Sequence, residues 1–492
     1  MIRKAAVAVV AIAMIGAGLY RFGGLRISLD GSGRWLRLFS SEPNDDALEA
    51  DRARQREVGL TLSGSPVTPR PPDAGPDEGR PAVDSARLAD VGRTQPAEVG
   101  RTLSGPPVGY WPDFRGPNRD GRYEETAIRI DWPSQGLPRL WKQPIGLGYA
   151  SFVAAGGRAF TIEQRRRQEV VSAYDVETGR ELWTHGWDGA FVESMGGDGP
   201  RATPTYHDGR IYALGALGEL RCLDAATGGL VWRRNILSDA GASNLDWGMA
   251  ASPLIVDHTV IVLPGGRGGK SVAAYDKASG APVWTALDDR QAYTSPMLVT
   301  LGGVRQILVV SATRAMGLTA DRGRLLWEYP WVTEYGINVS QPLLLGNDRF
   351  FLSAGYDHGA AVFEVIRAGE GLDIRTVWQN NRMKNKFTSS VLRNGYIYGL
   401  DEAILACVDA VTGELKWKGG RYGYGQILLA GDHLVVLAED GDVALVKATP
   451  ERHDEVAKFS AIDGKTWNHP VIVNGRLLVR NLREMAAFDI RP

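Results

Sequence analysis

A nine-residue pattern, Asp-x-x-Thr/Ser-Gly-x-x-x-Trp, recurs in this chain at Asp175–Trp183, Asp224–Trp232, Asp276–Trp284 and Asp409–Trp417. An apolar strand end precedes each copy. The Asp side chain is suited to bond its own backbone two residues on and so start a turn. The Gly takes a positive φ there, and a second strand closes on a large aromatic. One hairpin is being copied, at a period of about 40–50 residues, which is the signature of stacked four-stranded propeller blades. Weaker copies complete the series: Leu318–Trp327 has Thr319 in place of Asp, Phe363–Trp378 has a longer turn, and Val446–Phe459 ends on Phe. Leu140-Trp141 has only the end of a copy and Phe488-Asp489 only the start of one. Joined, they make one more unit, so the strand ends at Trp141, Trp183, Trp232, Trp284, Trp327, Trp378, Trp417 and Phe459 predict eight blades, one shared by the two chain ends.

A second hairpin series gives the same count. Its turns are Gly156-Gly157, Asp208-Gly209, Asp257-His258, Gly302-Gly303, Asn347-Asp348, Asn394-Gly395, Gly431-Asp432 and Asn474-Gly475, each between apolar runs. Asn-Gly and Asp-Gly in that setting are strong two-residue hairpin signals. The expected fold is all-β: an eight-bladed β-propeller of four-stranded antiparallel blades over residues 109–492, preceded by a membrane anchor and a disordered tether.

Arg3 and Lys4 precede an apolar run, Ala5 to Tyr20, that suits either an uncleaved single-span anchor or a cleaved signal peptide. The expected order is a cytoplasmic tip at 1–4, the apolar segment at 5–20 and a flexible linker at 21–108, with the body exported. An anchored body would sit on the periplasmic side of the inner membrane; a cleaved one would be periplasmic or secreted. The linker is rich in Pro, Gly, Arg and Asp, a composition that buries too little apolar surface to order itself. It contains a near-duplicate, Glu57–Gly64 and Glu98–Gly105. The segment Tyr110 to Gly121, with three aromatics and turn residues, is expected to pack on the ring as a plug or clasp. A net charge of −1 without a basic stripe argues against nucleic acid as a partner.

The Asp-x-x-Thr-Gly-x-x-x-Trp hairpins resemble the repeat of the pyrroloquinoline-quinone-like (PQQ-like, quinoprotein-type) β-propellers. The segment Trp111-Pro112-Asp113-Phe114-Arg115-Gly116-Pro117-Asn118-Arg119-Asp120-Gly121 resembles the start of their exported bacterial branch. The resemblance implies that the repeated Trp docks between adjacent blades, with Phe459 marking the weakest junction. It also divides the functional expectation. One branch comprises quinoprotein dehydrogenases of alcohols or sugars, holding PQQ with Ca²⁺ in the central funnel beside a vicinal disulfide. The other is similar to the propeller of the outer-membrane protein assembly machine, which binds partners and catalyses nothing. Here Cys222 and Cys407 are the only cysteines, so no vicinal pair exists, and no lipid-bearing cysteine follows the apolar run. The expectation is therefore a non-catalytic envelope scaffold that binds through its central channel face, with the PQQ-dependent oxidoreductase as the alternative.

No catalytic or metal-ligating set emerges from the residues. The histidines do not cluster, Gly265–Lys270 reads as a glycine-rich loop with no helix after it, and Arg165-Arg166-Arg167 reads as a solvent-facing turn. Topology does predict convergence. The residues just before the inner strands should line one mouth of the channel: Arg201, Trp247, Tyr293, Asn338, Lys386, Tyr424 and Trp467. Cations and aromatics together suit a small planar or anionic ligand, or an envelope protein partner, with the chain itself monomeric. Cys222 and Cys407, at one repeat position in blades four apart, are expected to be buried and unbridged.

Overall fold

The computed structural model describes residues 25–28, 37–40, 45–62 and 109–492. The repeated turn forms as its residues dictate. Asp175 Oδ1 accepts from the backbone N–H of Thr178 at 2.8 Å and from its hydroxyl at 2.7 Å. Asp224 and Asp276 hold Thr227 and Ser279 in the same way, and Asp409 holds the Thr412 N–H. The Gly that follows is left-handed, with φ of 74° at Gly228. A Cβ there would lie 2.5 Å from Cε3 of Trp183, the closing aromatic of the preceding blade. That Trp also donates its indole N–H to the Ala225 carbonyl, one residue past the motif Asp. The same bond runs from Trp141 to Val176, from Trp232 to Lys277 and from Trp378 to Ala410. The motif is thus one joint made by two blades: the turn of one blade seats the Trp of the blade before it.

These joints link eight antiparallel sheets, inner strand first: blade 1 (153–188), blade 2 (205–235), blade 3 (254–286), blade 4 (297–330), blade 5 (343–380), blade 6 (391–421) and blade 7 (426–460), with blade 8 combining 471–489 and Arg139–Pro144. All eight two-residue turns of the inner hairpins fall where the sequence places them. Blade 8 closes the ring across the chain ends, with Ala487 opposite Trp141 and Met485 opposite Gln143. The core lies between neighbouring blades as stacked apolar layers, such as Phe160 and Ile162 of blade 1 against Ile211 and Leu223 of blade 2. Cys222 and Cys407 are free and buried in two such layers.

The joints are unequal where the motif decays. Thr319 replaces Asp in blade 4, and Trp284 of blade 3 is left with a buried indole N–H that has no partner among the described residues. Blade 5 lacks the motif, and Trp327 turns to Gln306 of its own blade instead. At Phe459, the expected weak point, the chain supplies a substitute. Trp132 meets the Phe459 ring edge-on at 5.7 Å, and Gly136 presses against it with no room for a Cβ.

The segment after residue 109 bolts the ring from one end. Trp111 pairs with Ala154 of blade 1, and Tyr206 of blade 2 donates its N–H to the Pro112 carbonyl. Arg119 donates to the Pro253 and Pro296 carbonyls of blades 3 and 4, and Arg115 to the Ser389 and Ser390 carbonyls at blade 6. Arg122–Tyr123 adds a parallel strand to Gln426–Ala430 of blade 7, and Glu125 accepts from the Asn474 N–H of blade 8. This clasp spans seven of the eight blades and closes one end of the channel.

The stretch read as a flexible tether contains ordered elements. Leu25–Ser28 pairs with Arg37–Ser40, and Asp45–Leu62 forms a helix, α1, lying on Arg139–Pro144. Leu48 and Arg52 of α1 are buried, and Arg52 reaches across the seam between blades 8 and 1 to the Glu181 carboxylate at 3.1 Å and the Pro144 carbonyl at 3.3 Å. Arg165 is likewise not a solvent-facing turn residue: it joins buried Glu163 to Glu181 at the same seam. No helix among the described residues is long and apolar enough to cross a membrane, and the apolar run at 5–20 lies outside them.

Candidate functional site

Because every inner strand runs the same way along the axis, the residues before the strands meet at one end of the channel, opposite the clasp. They enclose a cavity of about 660 Å³. Phe114 of the clasp forms part of its lining, so the channel is a blind well with one mouth. Six of the seven sequence-predicted residues, Arg201, Trp247, Tyr293, Lys386, Tyr424 and Trp467, line this cavity. Asn338 does not. The loop 331–342 carries a tight turn at Glu334–Gly336, and Asn338 is tucked inward, donating to the Ser311 carbonyl at 2.8 Å. Its neighbours Ile337 and Val339 take the lining position.

The walls are a continuous aromatic surface. Trp467 stacks on Tyr149 at 5.1 Å and meets Phe387 at 4.6 Å, and Phe387 meets Tyr424 edge-on at 5.4 Å. Glu439, buried behind this wall, accepts the Trp467 indole N–H and the Tyr424 backbone N–H, which fixes both residues. Tyr149 occupies the blade 1 position of the same series, so the rule that finds the other six finds it too. Phe387 and Lys465 are each displaced from that position by one or two residues, and Tyr356 comes from a different loop, which no offset rule reaches.

Three cations stand on this surface. Arg201 lies 4.6 Å over the Phe191 ring and bonds Glu193 at 3.2 Å. Lys465 sits 3.6 Å over Trp467 and donates to the Gly196 carbonyl at 2.9 Å. Lys386 is caged by Tyr356, Tyr424 and Phe387 at 4.8, 4.7 and 5.5 Å. Burial holds the Lys386 ammonium below its ordinary pKa, against the opposing pull of Glu402 and Glu439. Burial also raises the Tyr293 and Tyr424 phenols to about 12, so both remain neutral donors. Deep in the well, His469 bonds the Ile427 carbonyl, and burial with Arg115 beside it lowers the imidazole to about 3. That ring is neutral.

The lining contains no Asp or Glu, and among the described residues no three His, Cys, Asp or Glu side chains come together as a metal requires. Divalent calcium needs several oxygen ligands, carboxylates foremost. The quinone with Ca²⁺ of the dehydrogenase branch therefore does not fit the residues present, although the aromatic walls alone would accept a flat ring.

Fold and site together define an eight-bladed propeller with a blind, aromatic and cationic well. A sequence profile described as outer membrane protein assembly factor BamB matches residues 166–419, and the chain belongs to that family. It is 22% identical to the factor of that name from Burkholderia pseudomallei, over 66% of this chain and 92% of the relative. It is 20% identical to that of Bordetella pertussis, over 61% and 72%. Among solved structures, BamB of Moraxella catarrhalis superposes with a TM-score of 0.50 at 17% identity, covering 72% of this chain and 97% of the other. The quinohemoprotein alcohol dehydrogenase of Comamonas testosteroni gives 0.55 at 13% identity, covering 80% and 81%. At such identities the structural likeness establishes the fold.

Proposed function

We propose that this chain is a non-catalytic scaffold of the cell envelope that engages another protein at the mouth of its central channel. The observation carrying this reading is the well itself: blind, walled by aromatics, holding three cations and no lining carboxylate. Surfaces of that composition match the aromatic and Arg-rich centres of protein interfaces. The relatives' names place them in outer-membrane protein assembly, and their kinship favours the same setting here. Export by the N-terminal apolar run and a monomeric propeller complete the proposal. The dehydrogenase alternative lacks the ligand set that calcium would need.

Two measurements test it. A photo-crosslinking residue placed at Tyr335, on a loop that lines the mouth, should capture protein in cells, whereas one at Val231 on an outer strand should not. Cross-links confined to the outer strand would overturn the assignment of the face. Purified protein supplied with PQQ and Ca²⁺ should show no alcohol-dependent dye reduction; turnover there would overturn the non-catalytic reading.

A further inference from the structure

The mouth is wider than its cavity. The loops 189–204 and 331–342 line the well and also carry four of the most exposed apolar side chains among the described residues: Val192 at 65%, Met195 at 68%, Val332 at 63% and Tyr335 at 70%. Tyr335 is held with φ of 62°, a left-handed conformation that non-glycine residues rarely adopt, and its ring meets Tyr356 of the Lys386 cage at 6.2 Å. An exposed aromatic kept in a strained backbone beside a site points to use at that site. A molecule confined to the well would leave this apolar rim uncovered. A polypeptide segment would cover it, and because the clasp closes the far end, it must enter as a loop tip or a chain end.

The charge of that segment follows from the three cations. Arg201 is engaged by Glu193, and Lys465 by a backbone carbonyl. Lys386 has no hydrogen bond or ion pair among the described residues, only aromatic faces. A half-desolvated ammonium that feels Glu402 and Glu439 only at a distance, with no carboxylate in contact among the described residues, gains most from one brought to it in a water-poor site. Resting on the reading of the mouth as the partner-binding face, we infer that the well receives an acidic segment of a partner protein, one carboxylate pairing with Lys386 while flanking apolar side chains cover Met195, Val192, Val332 and Tyr335.

The test uses the purified full chain and two fluorescein-labelled, amidated peptides, Gly-Leu-Trp-Glu-Glu-Gly and its Gln-Gln counterpart. Fluorescence anisotropy should show the Glu peptide binding at least tenfold more tightly, an advantage that shrinks in high salt. Lys386→Met should abolish the advantage and Lys386→Arg should keep most of it, with unchanged melting temperatures showing both variants folded. Met195→Ser with Val332→Ser, both exposed and outside the well's aromatic wall, should weaken both peptides alike by several-fold. Equal affinity for the two peptides, or a Glu advantage that survives Lys386→Met, would overturn the proposal even if Tyr335 cross-links to protein. Binding of benzene-1,3,5-tricarboxylate with no binding of either peptide would assign the well to a small anion and equally overturn it. Loss of cross-linking at Tyr335 would instead count against the face as a whole.

Discussion

The joint between repeated turn and preceding Trp makes a quantitative prediction for Gly228→Ala. Gly228 has φ of 74°, and a Cβ on it would stand 2.5 Å from Cε3 of Trp183 and 2.8 Å from Cδ2. Placing Ala in the left-handed region costs about 1–2 kcal/mol. Forcing the Trp183 ring aside costs a further ~1–3 kcal/mol of overpacking, because the ring is seated in the joint and bonded to Ala225. The matched control is Gly209→Ala in the same blade, with φ of 73° and nothing within 4 Å of its Cβ. It carries the backbone penalty alone. Both substitutions reduce the freedom of the unfolded chain equally, so that effect cancels in the comparison. Gly228→Ala should therefore cost about 1–3 kcal/mol more than Gly209→Ala in urea unfolding, read as a lower midpoint at unchanged slope. In a Trp183→Leu background the excess should vanish, since the two sites couple only through the ring. Equal costs for the two alanines, or an excess that persists without Trp183, would refute the joint.

Two further outcomes follow from the core and the seam. His469 titrates at about 3 when folded and near its ordinary 6.5 when unfolded, so below 6.5 the unfolded chain takes up a proton that the folded one refuses. Stability should fall by about 1.4 kcal/mol per pH unit from this group as pH drops from 6.5 toward 3, and His469→Gln, which keeps a donor for Ile427, should flatten that slope; an unchanged slope between about pH 6 and 5 would contradict it. Deleting Glu484 onward removes the strand between Arg476–Arg480 and Arg139–Pro144, so light scattering should report aggregation from two bare edges, and a monomeric product with an unchanged melting temperature would be inconsistent with closure there.

The ring was legible in the sequence because its information is local and repeated. A two-residue turn or an Asp-to-Gly-to-Trp spacing can be read without knowing what lies across space. Contacts between distant segments were less legible. Helix α1 is held by Leu48 and by the buried Arg52 rather than by an apolar stripe, so its composition reads as tether while its partner, Glu181, lies far along the chain. Arg165 could have been read better. Glu163 and Arg165 are two apart on one strand, which puts them on one face, and Tyr174, paired with Ala159 on that same face, lays its hydroxyl against Glu163. Asn338 differs for another reason: it stands as far before its strand as Lys386 does, but its amide bonds the Ser311 carbonyl, a contact across the chain that no spacing reveals, and Ile337 and Val339 line the well on either side of it.

Shared ownership of blade 8 also sets a clock. Pro144 and Glu484 are partners in one sheet, yet 340 positions separate them in the order in which the chain is made. At about 5–20 residues per second, the strand Arg139–Pro144 exists for roughly 15–70 s before the strand that will cover it has been synthesised. Throughout that interval the nascent arc has an uncovered edge at each end, and its clasp has too few blades to bolt. Any slowing of synthesis over the last blade adds its full delay to that interval.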